Sequence, residues 1–165
     1  MRPAVVALAF GLAGCGATGS APRDGRLDAA WVGSTKGRMS GTATAIWCSV
    51  ARIAQVTAIQ GDTGLGLLIH ASDSLVAGPY PISEPASARA RAPGAALGLR
   101  LLTQVAVVGY QAGGGTLTVE QVGGARISGR FDAKASAPAP ASGTLTVNGR
   151  FLDVPVAPGG AACPR

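Results

Sequence analysis

The sequence predicts a single all-β domain, an antiparallel β-sandwich or partly closed β-barrel of about eight strands. Three observations carry that expectation. Gly, Ala, Thr, Val and Ser dominate while charged residues make up only 13% of the chain, a composition poor in the Glu and Lys that long helices use. Short segments alternate apolar and polar residues with a period of two. Turn-forming Gly, Pro, Asp and Ser recur every ten residues or so. The 165 residues leave room for one modest domain, and no apolar run reaches the roughly 18 residues that would span a bilayer as a helix.

In chain order, residues 34–39 allow one short helical turn. Gly41 to Cys48 and Arg52 to Ile59 are Thr-, Val- and Ile-containing strands, and Leu65 to His70 follows a turn at Gly61-Asp62-Thr63-Gly64. Residues Ala71 to Pro93 hold four prolines and several serines, which predicts a long loop with at most a short strand near Tyr80 to Ile82. Leu97, Leu99 and Leu101 alternate with Gly98, Arg100 and Leu102, and Val105 to Tyr110 continues as a mostly apolar strand. Residues 115–122 and 126–134 read as a hairpin turning at Gly123-Gly124. In its second arm Ile127, Gly129, Phe131 and Ala133 fall on one face and Arg126, Arg130, Asp132 and Lys134 on the other. Ala135 to Ser142 is a proline-containing connection. The last strand passes Phe151, where the apolar phase shifts to Leu152 and Val154 and predicts a bulge. Two echoes run through this half: Gly-Thr-Leu-Thr-Val at 115–119 and 143–147, and Gly-Arg-Phe at 129–131 and 149–151. Their unequal spacing reads as one hairpin pattern used twice and not as a solenoid repeat.

The first residues have a different character. Met1 and Arg2 precede an apolar stretch, Ala4 to Ala13, that ends in Leu12-Ala13-Gly14-Cys15, the layout of an export signal. This tetrapeptide resembles the lipobox of bacterial lipoproteins. The resemblance implies a signal peptide at 1–14, cleavage before Cys15, a diacylglyceryl group on its thiol and a palmitate-type acyl chain on the new amino terminus. Two or more chains hold a protein stably on a membrane that it does not span. The implied address is the bacterial cell envelope. Gly16 stands where inner-membrane retention signals carry Asp, which favours the outer membrane in a host with two. Residues 15–26 then form the lipidated start and a flexible tether, and residues 27–165 the β domain. The Gly-Thr-Leu-Thr-Val and Gly-x-Ile-Ser-Gly-x-Phe segments also resemble those of many small β-rich bacterial lipoproteins of unassigned function, which supports the fold more than any activity.

With Cys15 lipidated, Cys48 and Cys163 remain, and an even pair in an exported protein reads first as a disulfide. The alternative is a metal site, but neither cysteine has a second Cys or His within a few residues. No metal or other cofactor is therefore expected.

Candidate chemistry is sparse. His70 is the only histidine, and no Gly-x-Ser-x-Gly elbow accompanies it. Asp62-Thr63-Gly64, with Val107-Val108-Gly109 downstream, resembles the paired motif of aspartic proteases. Those enzymes need two such aspartates sharing a proton, and Gln60-Gly61 precede Asp62 where that family has apolar strand residues. The sequence thus argues against an enzyme and for a binding or structural interaction module, with a small-ligand or glycan-binding barrel as the alternative and a hydrolase behind both.

The formal net charge is +6, and twelve of the fourteen basic residues are arginine. Arg89, Arg91 and Arg100 cluster near the Pro/Ala-rich loop in this reading, while Arg126, Arg130 and Arg150 share a solvent face with Glu120 and Asp132 among them. Trp31 and Tyr80, in less regular segments, are the ligand-stacking candidates, and Trp47 beside Cys48 is read as core packing over the disulfide. The expected partners are the membrane through Cys15 and an envelope protein, a glycan or anionic lipid. Nucleic acid is disfavoured by the compartment.

Overall fold

A computed structural model describes residues 24–103, 106–160 and 163. The lipobox, Cys15 and most of the proposed tether lie outside the described residues. Nine strands and one short helix follow in order: β1 Gly25–Gly33, β2 Gly37–Cys48, β3 Ile53–Gln60, β4 Thr63–His70, β5 Gly78–Ile82, α1 Pro85–Ala90, β6 Gly94–Leu102, β7 Val107–Gly123, β8 Arg126–Ser136 and β9 Thr144–Pro158. They form one sheet of order β1-β2-β3-β4-β6-β5-β7-β8-β9 that closes through β1 and β9 into a barrel.

Period-two alternation puts one face of every strand inside, as on β8, where Ile127, Gly129, Phe131, Ala133 and Ala135 are buried. The interior holds Leu27, Val56, Leu65, Leu67, Ile69, Leu99, Leu117, Val147 and Phe151, all fully buried. β6 and β7 pair directly from Gly98 to Leu102 and splay apart beyond. β5 fills the wedge, parallel to β6 at Ile82–Ala95 and antiparallel to β7 from Gly78 to Ile82.

The Gly-Arg-Phe echo acquires a physical meaning here. The two copies run antiparallel on β8 and β9, so Phe131 lies opposite Gly149, Phe151 opposite Gly129, and Arg130 opposite Arg150. Each ring folds over the facing glycine. A Cβ at Gly129 would sit 2.5 Å from Phe151 Cζ, and one at Gly149 2.6 Å from Phe131 Cζ. Trp31 covers Gly37 in the same way across β1 and β2. Large rings thus pack inside the barrel by lying where the neighbouring strand has no side chain.

The sequence expectations need several corrections. Residues 25–33 form a strand, and 34–36 are a bend into β2 where a helical turn was expected. The region 71–93 contains β5, as expected, and also α1, whose first turn carries Pro85. The segments read separately at 105–110 and 115–122 belong to one strand: β7 runs through 113–115 with a register shift between Ala112 and Gly114. The β7–β8 turn falls one residue later than expected, at Gly124-Ala125, both with φ of 57°, the left-handed pair that a two-residue hairpin needs. The bulge expected near Leu152 is present, with Ser128 opposite Leu152 and Asp153; Asp153 is left-handed and its N–H donates to Ser128 Oγ at 2.8 Å.

Candidate functional site

The two ends of the barrel differ. At one, β1 starts and β2, β4, β7 and β9 finish; we refer to it as the tether end. At the other, Tyr110 lies inside the barrel with its hydroxyl 3.5 Å from Ser34 Oγ in the β1–β2 turn. That contact joins β7 to the β1–β2 turn across the far end.

Of the residues singled out as ligand contacts, Trp31 and Tyr80 stand in regular strands, where less regular segments were expected. Both point inward, 7% and 2% exposed, because the aromatic bulk needed to fill a nine-stranded barrel comes from them. Tyr80 still has a positional task. Its hydroxyl donates to the Val76 carbonyl at 2.9 Å and accepts from the Val76 N–H at 3.3 Å, pinning the 71–77 segment over the tether end. The arginine cluster is corrected too. Arg89 and Arg91 lie in and after α1 beside the start of β6, whereas Arg100 is six residues further along that strand, roughly 20 Å away at strand rise.

Cys48 and Cys163 form the disulfide, with an S–S distance of 2.05 Å across a separation of 115 residues. It fixes the chain's final segment against the end of β2, where the Gly159 N–H donates to the Trp47 carbonyl at 2.9 Å.

His70 sits on the outer face of β4 opposite Gly94, covered by α1 and 5% exposed. Burial pushes its pKa below the ordinary value, and the charge of Arg89 on α1 adds to the effect. Its Nε2 has no hydrogen-bond partner among the described residues. Asp62 occupies the β3–β4 turn, where Gly61 supplies a φ of 53°. Asp28 lies in a row across the outer face, paired in register with Ser40 on one side and Arg150 on the other. A hydrogen bond from Ser40, with Arg26 at 2.8 Å and Arg150 at 3.5 Å, holds its carboxyl below the usual range. Arg130, opposite Arg150, pairs with Glu120. The shared solvent face of Arg126, Arg130 and Arg150 is therefore real, but its charges are interleaved with acids.

Of several concave surfaces, two bear on binding. One, of about 530 Å³, lies on the outside of the sheet. Its floor is the bare backbone of Gly64, Gly66, Gly98 and Gly109, and Thr57, Ile59, Arg100 and Gln111 rise around it. No atom lies within 4 Å of a Cβ placed at Gly66 or Gly109, so packing does not require glycine there.

The other, of about 380 Å³, is the barrel mouth at the tether end, lined by Trp47, Leu75, Val122, Ile127 and Val156 with Arg126 beside them. Trp47 is half-buried; it continues the inward phase of Ala43 and Ala45 as the last inward side chain of β2. Adjacency to Cys48 suggested a packed core position, but the phase of Ala43, Ala45 and Trp47, followed to the strand end, was the signal for a mouth. Leu75 and Val156 had no such signal, since one lies in a loop and the other beyond a bulge. No family model, curated protein or solved structure matches this chain.

Proposed function

We propose that this chain is a lipid-anchored protein of the bacterial envelope whose β-barrel is a binding module. One observation carries the reading: the barrel's own side chains fill its interior, so recognition is left to the concave surfaces outside that core. The ionisable groups support binding over catalysis. His70 is walled off by α1, Asp28 is held in an ion-paired row, and Asp62 sits in an open turn. A catalytic site would need such groups together in a cleft.

The mouth favours a second reading, a small-ligand or glycan binder, because an apolar opening of about 380 Å³ with one tryptophan falls in the size range of ligand sites.

Intact mass of the protein extracted from membranes tests the anchor. The expected product begins at Cys15 and carries the diacylglyceryl and acyl masses; an unmodified Cys15 overturns the lipoprotein reading. Thermal shifts of the same protein against glycans, anionic lipids and peptidoglycan fragments then separate the two binding readings. A ligand at a hundred times its Kd adds about 2.7 kcal/mol, and loss of that shift in Trp47→Ala would assign a small ligand to the mouth.

A further inference from the structure

We infer that the tether end of the barrel is seated on the surface of the bilayer that holds the anchor, with Val50, Val76 and Val122 entering the headgroup layer around Trp47. This rests on the lipid-anchor reading. The chain enters the barrel at Gly25, the first residue of β1, on this end. Residues 15–24, which join it to the lipid, reach at most about 35 Å when fully extended, so this rim is the part of the domain held closest to the membrane.

The rim is built for an apolar neighbour. Val50, at the tip of the β2–β3 turn, is 98% exposed; Val76, in the 71–77 segment, is 56% exposed, and Val122, at the end of β7, 42%. Isolated surface valines are ordinary. Here Val122 lines an apolar concavity together with Trp47 and Leu75, Val76 follows Leu75 in the chain and Val50 lies three residues beyond Trp47, the amphipathic pattern that settles at a membrane interface.

The tips are also held in place before any membrane is met. The Ala71 N–H donates to the Arg52 carbonyl at 2.9 Å, and the Arg52 guanidinium donates to the Ser72 carbonyl, so the β2–β3 turn and the 71–77 segment are joined. Tyr80 clamps Val76. The Val156 N–H donates to the Ala125 carbonyl at 2.8 Å, and the disulfide secures the end of β2. A rim fixed in this way loses little conformational entropy on docking.

Charge does not dominate. Arg26, Arg52 and Arg126, with Arg89 and Arg91 of the α1 segment, share this end with Asp24, Asp73, Asp153 and Glu84, and Arg126 pairs with Asp153 at 3.2 Å. Seating is therefore apolar, and neutral phosphatidylcholine serves as well as anionic lipid. The opposite end also exposes apolar side chains, Val32, Ile59, Leu102 and Val107, but it lies a barrel length further from the anchor.

The test uses the full lipidated protein reconstituted into phosphatidylcholine vesicles whose acyl chains carry bromine at shallow or deep carbons, with tryptophan emission as readout. Trp31 and Trp47 are the only tryptophans, and Trp31 is enclosed in the barrel, so Trp47 is the reporter. The expected result is quenching that is stronger for shallow than for deep bromine, survives high salt, is lost in Trp47→Phe and is weakened in Val50→Asp/Val122→Asp. Circular dichroism of the double variant confirms that it is folded, as expected for two exposed sites. Absence of quenching while the protein floats with the vesicles overturns the seating and leaves the anchor standing. Quenching unchanged in the double variant, or abolished by salt, overturns it as well. Failure of the protein to float removes the anchor reading and the seating together.

Discussion

A methyl group added at Gly129 would lie 2.4 Å from the Thr118 carbonyl oxygen and 2.5 Å from Phe151 Cζ, whereas one added at Gly66 would meet nothing within 4 Å. The same substitution should therefore have opposite signs at the two sites. Gly129→Ala forces the Phe151 ring and the β7 backbone aside and should cost about 1–3 kcal/mol. Gly66→Ala gains strand preference at no steric cost and should stabilise by about 0.5–1 kcal/mol; urea unfolding of both variants checks the contrast. His70 gives a second residue-scale expectation. Its folded pKa lies below the unfolded value of 6.5, so below pH 6.5 the unfolded chain takes up the proton first. Stability is complete above that pH and falls as pH drops toward and through the folded value. Carboxylates titrate lower, at roughly pH 4, so a decline in Tm between pH 6.5 and 5 belongs to His70, and His70→Gln should flatten it.

At the scale of elements, the legible strands were those whose two faces differ. β8, with arginine, aspartate and lysine facing Ile127, Phe131 and Ala133, could be read almost residue by residue. β1 could not, because its outer face passes from Arg26 and Asp28 to Ala30 and Val32, which do not contrast with the inward Leu27, Ala29 and Trp31. α1 was hidden because six residues starting at a proline carry too little periodicity to register. The disulfide was legible from cysteine parity, and it supports one element in particular. Cys163→Ser removes a closure spanning 115 residues and should lower stability by about 2–5 kcal/mol. Hydrogen exchange should quicken first at the Gly159 amide, which leans on Trp47, while β1–β9 pairing keeps its protection. Equal loosening at β1 would show that the bridge supports the whole ring and not its last segment.

For the whole molecule, an all-β chain was readable from composition and turns, but ring closure was not. Closure depends on β1 meeting β9, more than a hundred residues away, and on Phe131, Phe151 and Trp31 each finding a glycine across a strand boundary. Those pairings exist only once the register is known. The candidate site was less legible for the same reason. Trp47 becomes a mouth residue only when the strand ends on either side of it are brought together, and Val50, Val76 and Val122 are unremarkable until the β2–β3 turn, the 71–77 segment and the end of β7 share a rim.

Closure also sets the manner in which the barrel can be approached. Among the described residues each of the nine strands has a neighbour on both sides, with β5 and β6 joined only at Ile82–Ala95, so the ring has no free edge strand along its length for a passing extended chain to copy. Such a surface resists accidental strand-to-strand adhesion to unfolded polypeptides. Partners that recruit by adding a strand find no purchase on it; recognition has to proceed through side chains, on the faces and rims.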